Sequence, residues 1–363
     1  MLPAHDKKFL HAVLSAGAEH DAAQKLFSAF GSYEAAWRAG PAALETAGIS
    51  RELADRTTKA RERLNPDDAM RALVTQGIAL VTAGEPEFPK ELYEISAAPL
   101  ALYIKGRVPN DLPRLAVVGT RKATPYGREA THTIIRGLAN QTSLAVVSGL
   151  AQGIDAEAHR AALAAGLPTI GVLGSGMDRA SFFPPENWNL AEEMVAASGA
   201  IISEYPPGAP ALPHHFPARN RIIAGLSRGV LVVEAPERSG ALITARFALE
   251  QGRDVFAVPG QLFSLNAIGA HRLIQDGAKL VTKADDIIDE LNLPHRSPSE
   301  QAAAGLTGEA ERTILSLLGE PKSVDELKTE TELATPNIIS CLSLLELKGF
   351  IRPMGQNKFR RIV

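Results

Sequence analysis

The sequence predicts an α/β protein built on an extended, Rossmann-like, doubly wound and mostly parallel sheet. Two observations carry this. Seven short apolar runs recur between residues 115 and 282, and most end in a glycine-rich polar turn that hands over to a helical pattern. Consecutive strands joined through helices lie parallel, so their turns gather along one sheet edge, where open α/β sheets bind ligands. Those turns are also rich in glycine, hydroxyl groups and arginine and poor in acid–base pairs. That chemistry suits phosphate better than it suits an ordinary enzyme.

The elements follow in order. Phe9–Ala16, Ala22–Phe30, Ser32–Ala39, Pro41–Ala47 and Ser50–Arg63 carry apolar residues at helical spacing. Ser32 and Ser50 stand at N-cap positions, and Gly31, Gly40 and Gly48 punctuate the breaks. Small helices joined by glycine turns suggest a helical domain over residues 1–75, of helix-hairpin-helix or SAM-like type, whose turns favour packing or protein contact over DNA clamping. Gly77–Val81 and Ala98–Gly106 read as strands around a proline-bounded loop, extending the sheet at one edge. The central strands are Leu115–Val118, Leu144–Val147, Thr169–Leu173, Ile201–Ile202, Val230–Val233, Asp254–Val258 and Lys279–Thr282. Helical patterns fill Tyr126–Gln141, Ile154–Ala165, Trp188–Ser198, Arg219–Leu226, Ala241–Gln251 and Asn266–Asp276. Residues 76–292 thus form the Rossmann-like domain.

Residues 293–308 are poor in large apolar side chains and read as a linker. Residues 309–363 give helices Glu309–Leu318, Ser323–Thr329 and Thr335–Leu347, then a two-stranded wing at Gly349–Ile351 and Lys358–Ile362, the winged-helix pattern. The closing stretch holds Lys348, Arg352, Lys358, Arg360 and Arg361 and no acid. The third helix instead offers hydroxyls, Asn337 and Glu346, so this module reads as a protein-contact or weak duplex-DNA element. Cys341, beside Ile339, Leu342 and Leu345, reads as a buried small hydrophobe.

The bulk numbers exclude several classes. A chain of 363 residues with 45% hydrophobic and 22% charged residues is globular and long enough for two or three domains. No apolar run approaches the roughly 20 residues of a membrane span, and the start lacks a signal-peptide core. One cysteine rules out an internal disulfide, so the expected compartment is the cytoplasm. A net charge of −3 means that nucleic-acid binding must rest on a local basic surface.

The turns nominate the site. In Gly119-Thr120-Arg121, glycine admits an anion, threonine offers a hydroxyl and arginine a forked donor; the alternative is a sheet-edge arginine paired with a carboxylate. Ser148-Gly149 precedes a helix whose early Asp155 is either a cap or a ligand contact. Phe216 with Arg219, Asn220 and Arg221 combines a stacking ring with backbone clamps for a single strand, or else a core ring with a salt-bridged arginine. Ser239-Gly240 offers a further phosphate cradle. Glu204 and Glu234 end strands but lack a nucleophile nearby in sequence. His214 and His215 lack a third ligand in the sequence, so no metal and no cofactor is expected.

Read in order, Val118–Arg121, Ser148–Asp155, Gly171–Asp178, Ile202–Gly208, Phe216–Ile223, Ser239–Ala245 and Val255–Gly260 resemble the DNA-processing protein A family, DprA or Smf. The resemblance covers about 140 residues of motifs, and the flanking modules look like that family's optional domains. It implies a non-enzymatic recombination mediator that binds single-stranded DNA during natural transformation and helps load RecA. It implies a DNA pocket of Gly119, Thr120, Arg121, Phe216, Arg219, Asn220 and Arg221, and a homodimer and RecA surface near Ile274, Gln275 and Leu280. One departure stands out: where members often carry Lys or Arg before the Phe-Pro-x-Arg-Asn run, this chain has Leu212-Pro213-His214-His215. His271 also stands where some members have asparagine. Two rivals remain. A nucleotide-processing hydrolase would want Pro-Gly-Gly-x-Gly-Thr, which Pro259-Gly260-Gln261-Leu262 breaks. A winged-helix regulator would want a recognition helix built for duplex.

Overall fold

The computed structural model of the chain describes residues 2–296, 309–331, 333–347, 350–355 and 357–362. The expected linker lies largely outside the described residues, as do Lys348 of the basic closing stretch and Gly349 of the expected wing.

Six N-terminal helices form: α1 (Ala4–Ser15), α2 (His20–Phe30), α3 (Tyr33–Arg38), α4 (Pro41–Thr46), α5 (Arg51–Ala60) and α6 (Pro66–Thr75). Ser32 and Ser50 cap α3 and α5 as expected, accepting from the Ala35 and Leu53 amides. Helix α6 is an addition to the expected elements. Its start is nonetheless written locally, since Asn65 accepts from the Asp67 and Asp68 amides and Pro66 takes the first helical position. Buried Asp6 accepts from the Tyr33 and Glu34 amides at 3.0 and 2.8 Å, tying α1 to the start of α3.

The nine-stranded sheet has the order β1-β2-β6-β5-β4-β3-β7-β8-β9. Strands β3 (Arg114–Val118), β4 (Ala145–Ser148), β5 (Thr169–Leu173), β6 (Ala200–Ser203), β7 (Gly229–Val232), β8 (Asp254–Ala257) and β9 (Lys279–Leu280) all run parallel. They are the seven central strands expected. β1 (Ile78–Thr82) and β2 (Ala101–Gly106) add the expected edge, with β2 antiparallel to β6. β3 to β7 are buried along their whole length, which is why they read as unbroken apolar runs. From β3 the chain winds outward through β4, β5 and β6, then returns to place β7 on the other flank of β3. The carboxyl ends of β3 and β7 therefore form the topological switch point.

The connecting helices are α7 (Pro125–Gln141), α8 (Ile154–Ala164), α9 (Trp188–Ala196), α10 (His215–Gly225), α11 (Gly240–Glu250), α12 (Ile268–Gln275) and α13 (Asp285–Glu290). α10 begins four residues before its expected start at Arg219. Pro217 does not delay it, because a first-turn residue has no helical partner for its N–H in any case. α13 was not expected either.

Residues 1–137 with 144–293 form one compact unit. The N-terminal helices share a core with the sheet: Leu10, Val13 and Leu26 belong to the same buried cluster as Leu80 and Tyr103. His11 Nδ1 meets the Tyr103 hydroxyl at 2.8 Å inside it. The second unit comprises residues 138–143 with 294–363. It contains α14 (Glu309–Leu317), α15 (Val324–Thr331) and α16 (Thr335–Leu347), with β10 (Lys322–Ser323), β11 (Ile351–Pro353) and β12 (Lys358–Arg361) in the order β10-β12-β11. This is a winged helix with one strand more than expected, closed over Ile314, Leu327, Ile338 and Leu345. Cys341 is only half-buried at the margin of that core, and Ile339 faces solvent. Among the described residues no helix is long and apolar enough to cross a membrane.

Two buried histidines make the sheet unit acid-sensitive. Burial holds His11 down to about 4, and burial with nearby Arg219 and Arg160 holds His159 down to about 3. Unfolded, both titrate near 6.5. Between those values the unfolded chain binds more protons, so stability is complete above pH 6.5 and is lost as pH falls towards 4 and 3. At pH 5 each histidine should remove about 2 kcal/mol relative to pH 7. Urea midpoints at the two pH values check this, and His11→Gln should roughly halve the dependence.

Candidate nucleic-acid interface

The turn after β3 sits at the switch point. The Thr120 amide donates to the Glu234 carbonyl at 2.7 Å, and the Thr120 carbonyl accepts from Ile154 at 3.1 Å, so the turn is fixed between the end of β7 and the start of α8. Gly119 packs against α8: a Cβ there would lie 2.6 Å from the Ile154 side chain. Arg121 projects outward, with its guanidinium carbon 5.6 Å from the Phe216 ring centre. Among the described residues no carboxylate pairs with it, so the sheet-edge ion pair weighed above does not form.

Behind this turn lies a buried charge pair. Asp155 and Arg219 are 7% and 5% exposed. Asp155 accepts from the Gly149 amide at 3.2 Å and also from the Gly119 and Ala151 amides. Burial raises its carboxyl above the usual range, and Arg219 opposes that rise. Arg219 donates to the Gly149 carbonyl at 2.7 Å, to the Val172 carbonyl and, through Nε, to Asn220 Oδ1 at 3.2 Å. Burial lowers it to about 10 despite Asp155. Gly149 is what admits it, because a Cβ there would fall 2.5 Å from a guanidinium nitrogen.

The structure therefore redistributes the expected contacts. Arg219 lines the cleft, but its Nη1 serves two strand-end carbonyls and its Nε serves Asn220, so it braces the site and is no free clamp. Arg221 points away: it forms a two-pronged ion pair with Glu204 at 2.6 and 2.7 Å and donates to the Ala97 carbonyl. Two residues apart on a helix lie about 200° apart around the axis. Asn220 donates to the Gly240 carbonyl at 3.2 Å, joining α10 to α11. Ser148 is fully buried and donates to the Val117 carbonyl at 2.6 Å, out of reach of any ligand. Ser239 caps α11, accepting from Ala241. Glu234 is occupied by the Thr124 amide and hydroxyl at 2.9 and 2.6 Å. Neither strand-end glutamate is free to act as an acid or base.

What remains open is a cleft of about 660 Å³ above the carboxyl ends of the strands. Arg121, Phe216, Arg219, Arg238 and the Ser239-Gly240 turn line it, and among the described residues Asp155 is the one acid in its lining. Phe216 is half-buried and leans on the Phe183 ring, 5.6 Å between centres at 60°. Phe183 and Arg238 were not among the expected site residues. Arg238 immediately precedes the quoted Ser239-Gly240 turn, and Phe183 lies seven residues beyond the Gly174-Ser175-Gly176 turn that follows β5. Ile274 and Gln275 at the end of α12 and Leu280 on β9 lie at the sheet's free edge, and Leu280 is 42% exposed. His271 braces Gly260 from α12, its Nε2 3.2 Å from the amide.

A family model described as DNA recombination-mediator protein A matches residues 79–292, which hold the whole sheet edge just described. The chain belongs to that family. A second model, the DprA winged helix domain, matches residues 294–357. Protein Smf from Synechocystis is 34% identical over 93% of this chain and 94% of its own length. The crystal structure of DNA processing protein A from Streptococcus pneumoniae superposes with a TM-score of 0.64 at 36% identity, covering 80% of this chain and 99% of that one. Its Helicobacter pylori counterpart superposes at 0.52 and 29% identity, covering 59% and 95%, and was solved for its single-stranded DNA binding mode.

Removing the counter-charge tests how far the turns around this cleft depend on Asp155 and Arg219. Asp155→Asn should cost about 1–3 kcal/mol, because it weakens the acceptor for three backbone amides and removes the negative charge that favours buried Arg219. Denaturant titration checks it, and a loss below about 1 kcal/mol would contradict the assigned role.

Proposed function

We propose that this chain binds single-stranded DNA along the cleft at the switch point and holds it without chemistry. The observation that carries this is Arg121 laid over the Phe216 ring at the mouth of a cleft lined by arginine. A base can stack on the ring while phosphate draws Arg121 aside, a combination that tolerates any sequence. Arg219, Asn220, Ser148 and Gly149 hold the edge rigid beneath. The non-catalytic reading is supported by Glu204 and Glu234, both engaged in structural bonds.

Within that reading the chain acts in the cytoplasm during DNA uptake and homologous recombination. It hands its strand to RecA, and pairs with a second copy through the edge carrying Ile274, Gln275 and Leu280. The winged helix adds a weak duplex or protein contact: Arg352 and Arg360 stand opposite each other across its wing, both exposed.

A gel shift comparing single-stranded with duplex DNA, without nucleotide, is the main test; preference for duplex would sink the reading. In the same assay Arg121→Ala should weaken binding and lower the salt slope by about 0.7, and Phe216→Ala should cost about 1–3 kcal/mol. Wild-type affinity in both variants would remove the cleft from DNA binding. Leu280→Glu should shift a sedimentation profile to monomer, and an unshifted profile would remove that edge from the dimer.

A further inference from the structure

The start of α10 carries two adjacent histidines, and the fold brings a carboxylate to them from far along the chain. Glu19 Oε1 lies 3.5 Å from His214 Nε2 and 3.8 Å from His215 Nε2. One ligand atom from each of the three residues lies within 4.8 Å of the others. The sequence shows only the pair, because Glu19 immediately precedes α2 in the N-terminal helices.

The histidine side is built for a ligand. The His215 side chain is buried, and its ring stacks on Tyr205 with centres 3.9 Å apart at 18°. Its Nδ1 stands 3.2 Å from the Gly174 carbonyl, which can only accept, so the proton sits on Nδ1. Nε2 then presents a bare lone pair towards Glu19, the tautomer that a metal-binding histidine needs. The Pro210 carbonyl also faces the ring.

The spacing fits as well. A tetrahedral zinc ion with ligands at about 2.0–2.1 Å holds its donors about 3.3–3.4 Å apart. Glu19 is within a few tenths of an ångström of that distance from both rings. With its proton on Nδ1, His215 faces Glu19 with an acceptor against an acceptor, a contact that a cation or a shared proton between them satisfies. The site opens on a cavity of about 470 Å³, lined by Glu19, His215, Pro207 and Pro210, with room for water in a fourth position.

We propose that Glu19, His214 and His215 form a site for one zinc-class divalent cation, clasping the N-terminal helices to the start of α10. Two imidazoles and one carboxylate suit Zn²⁺, whereas Mg²⁺ and Ca²⁺ favour all-oxygen shells. A bound ion fixes the helical turn that carries Phe216 and adds positive charge beside Pro213, on the rim of the cleft. That last consequence rests on the proposed DNA binding; the cation site does not.

The test uses the full chain, stripped of metal and titrated with Zn²⁺ by calorimetry, with Co²⁺ as a visible-absorption probe. One tight ion per chain, a tetrahedral Co²⁺ spectrum and a raised unfolding temperature are expected. Glu19→Gln and His214→Ala, at positions whose side chains are 64% and 63% exposed, should leave the metal-free unfolding temperature unchanged. Each should weaken Zn²⁺ binding at least about tenfold, since even the partner behind a ligand is worth 10–100-fold. Absence of saturable binding, or wild-type affinity in both variants, overturns the site. Zinc binding in a chain that fails to shift single-stranded DNA would sink the proposed function and leave the cation site standing.

Discussion

Asp155 and Arg219 are both taken out of water, and each charge offsets part of the other's cost of burial. Their pairing does more than cancel two charges. Asp155 gathers amides from the turns after β3 and β4, and Arg219 gathers carbonyls from the ends of β4 and β5. Three strand ends and α10 are thereby held to one electrostatic centre. Backbone groups that would otherwise face the interior unpaired are satisfied, and the outer surface of the turns is set without help from a ligand. Arg121 can stay free in the cleft because the positive charge beneath it is already matched.

The same centre explains what could and could not be read from the chain. Strands β3 to β7 were legible because strands buried on both faces become apolar runs, whereas β9 at the exposed edge was marked only by its position in the alternation. Helix α6 has its start marked by Asn65 and Pro66, and α10 starts ahead of Arg219 because a proline in the first turn, Pro217, breaks no helical hydrogen bond. In the site, residue types were legible and directions were not. Arg219 and Arg221 look alike in sequence, yet one serves the strand ends and the other closes on Glu204. A hydroxyl such as that of Ser148 advertises a donor without showing that Val117 has already taken it.

The N-terminal helices are more than an appended bead. Their core continues into β2, and Glu19 reaches the start of α10 from the opposite end of the unit's sequence. Long-range juxtapositions of this kind leave no local trace, since neither periodicity nor capping links residue 19 to residue 214. They become visible only when the antiparallel edge of β1 and β2 has carried the helical module against the sheet.

Gly149 carries a consequence for how such a sequence can change over time. Any side chain there collides with the guanidinium of Arg219, and any shortening of Arg219 strands the carboxylate of Asp155. No one of the three can be replaced first without loss, so drift at these positions must pass through a destabilised intermediate or not occur at all. The stretch of surface above is then held constant by a lock beneath it, whatever becomes of the use to which that surface is put.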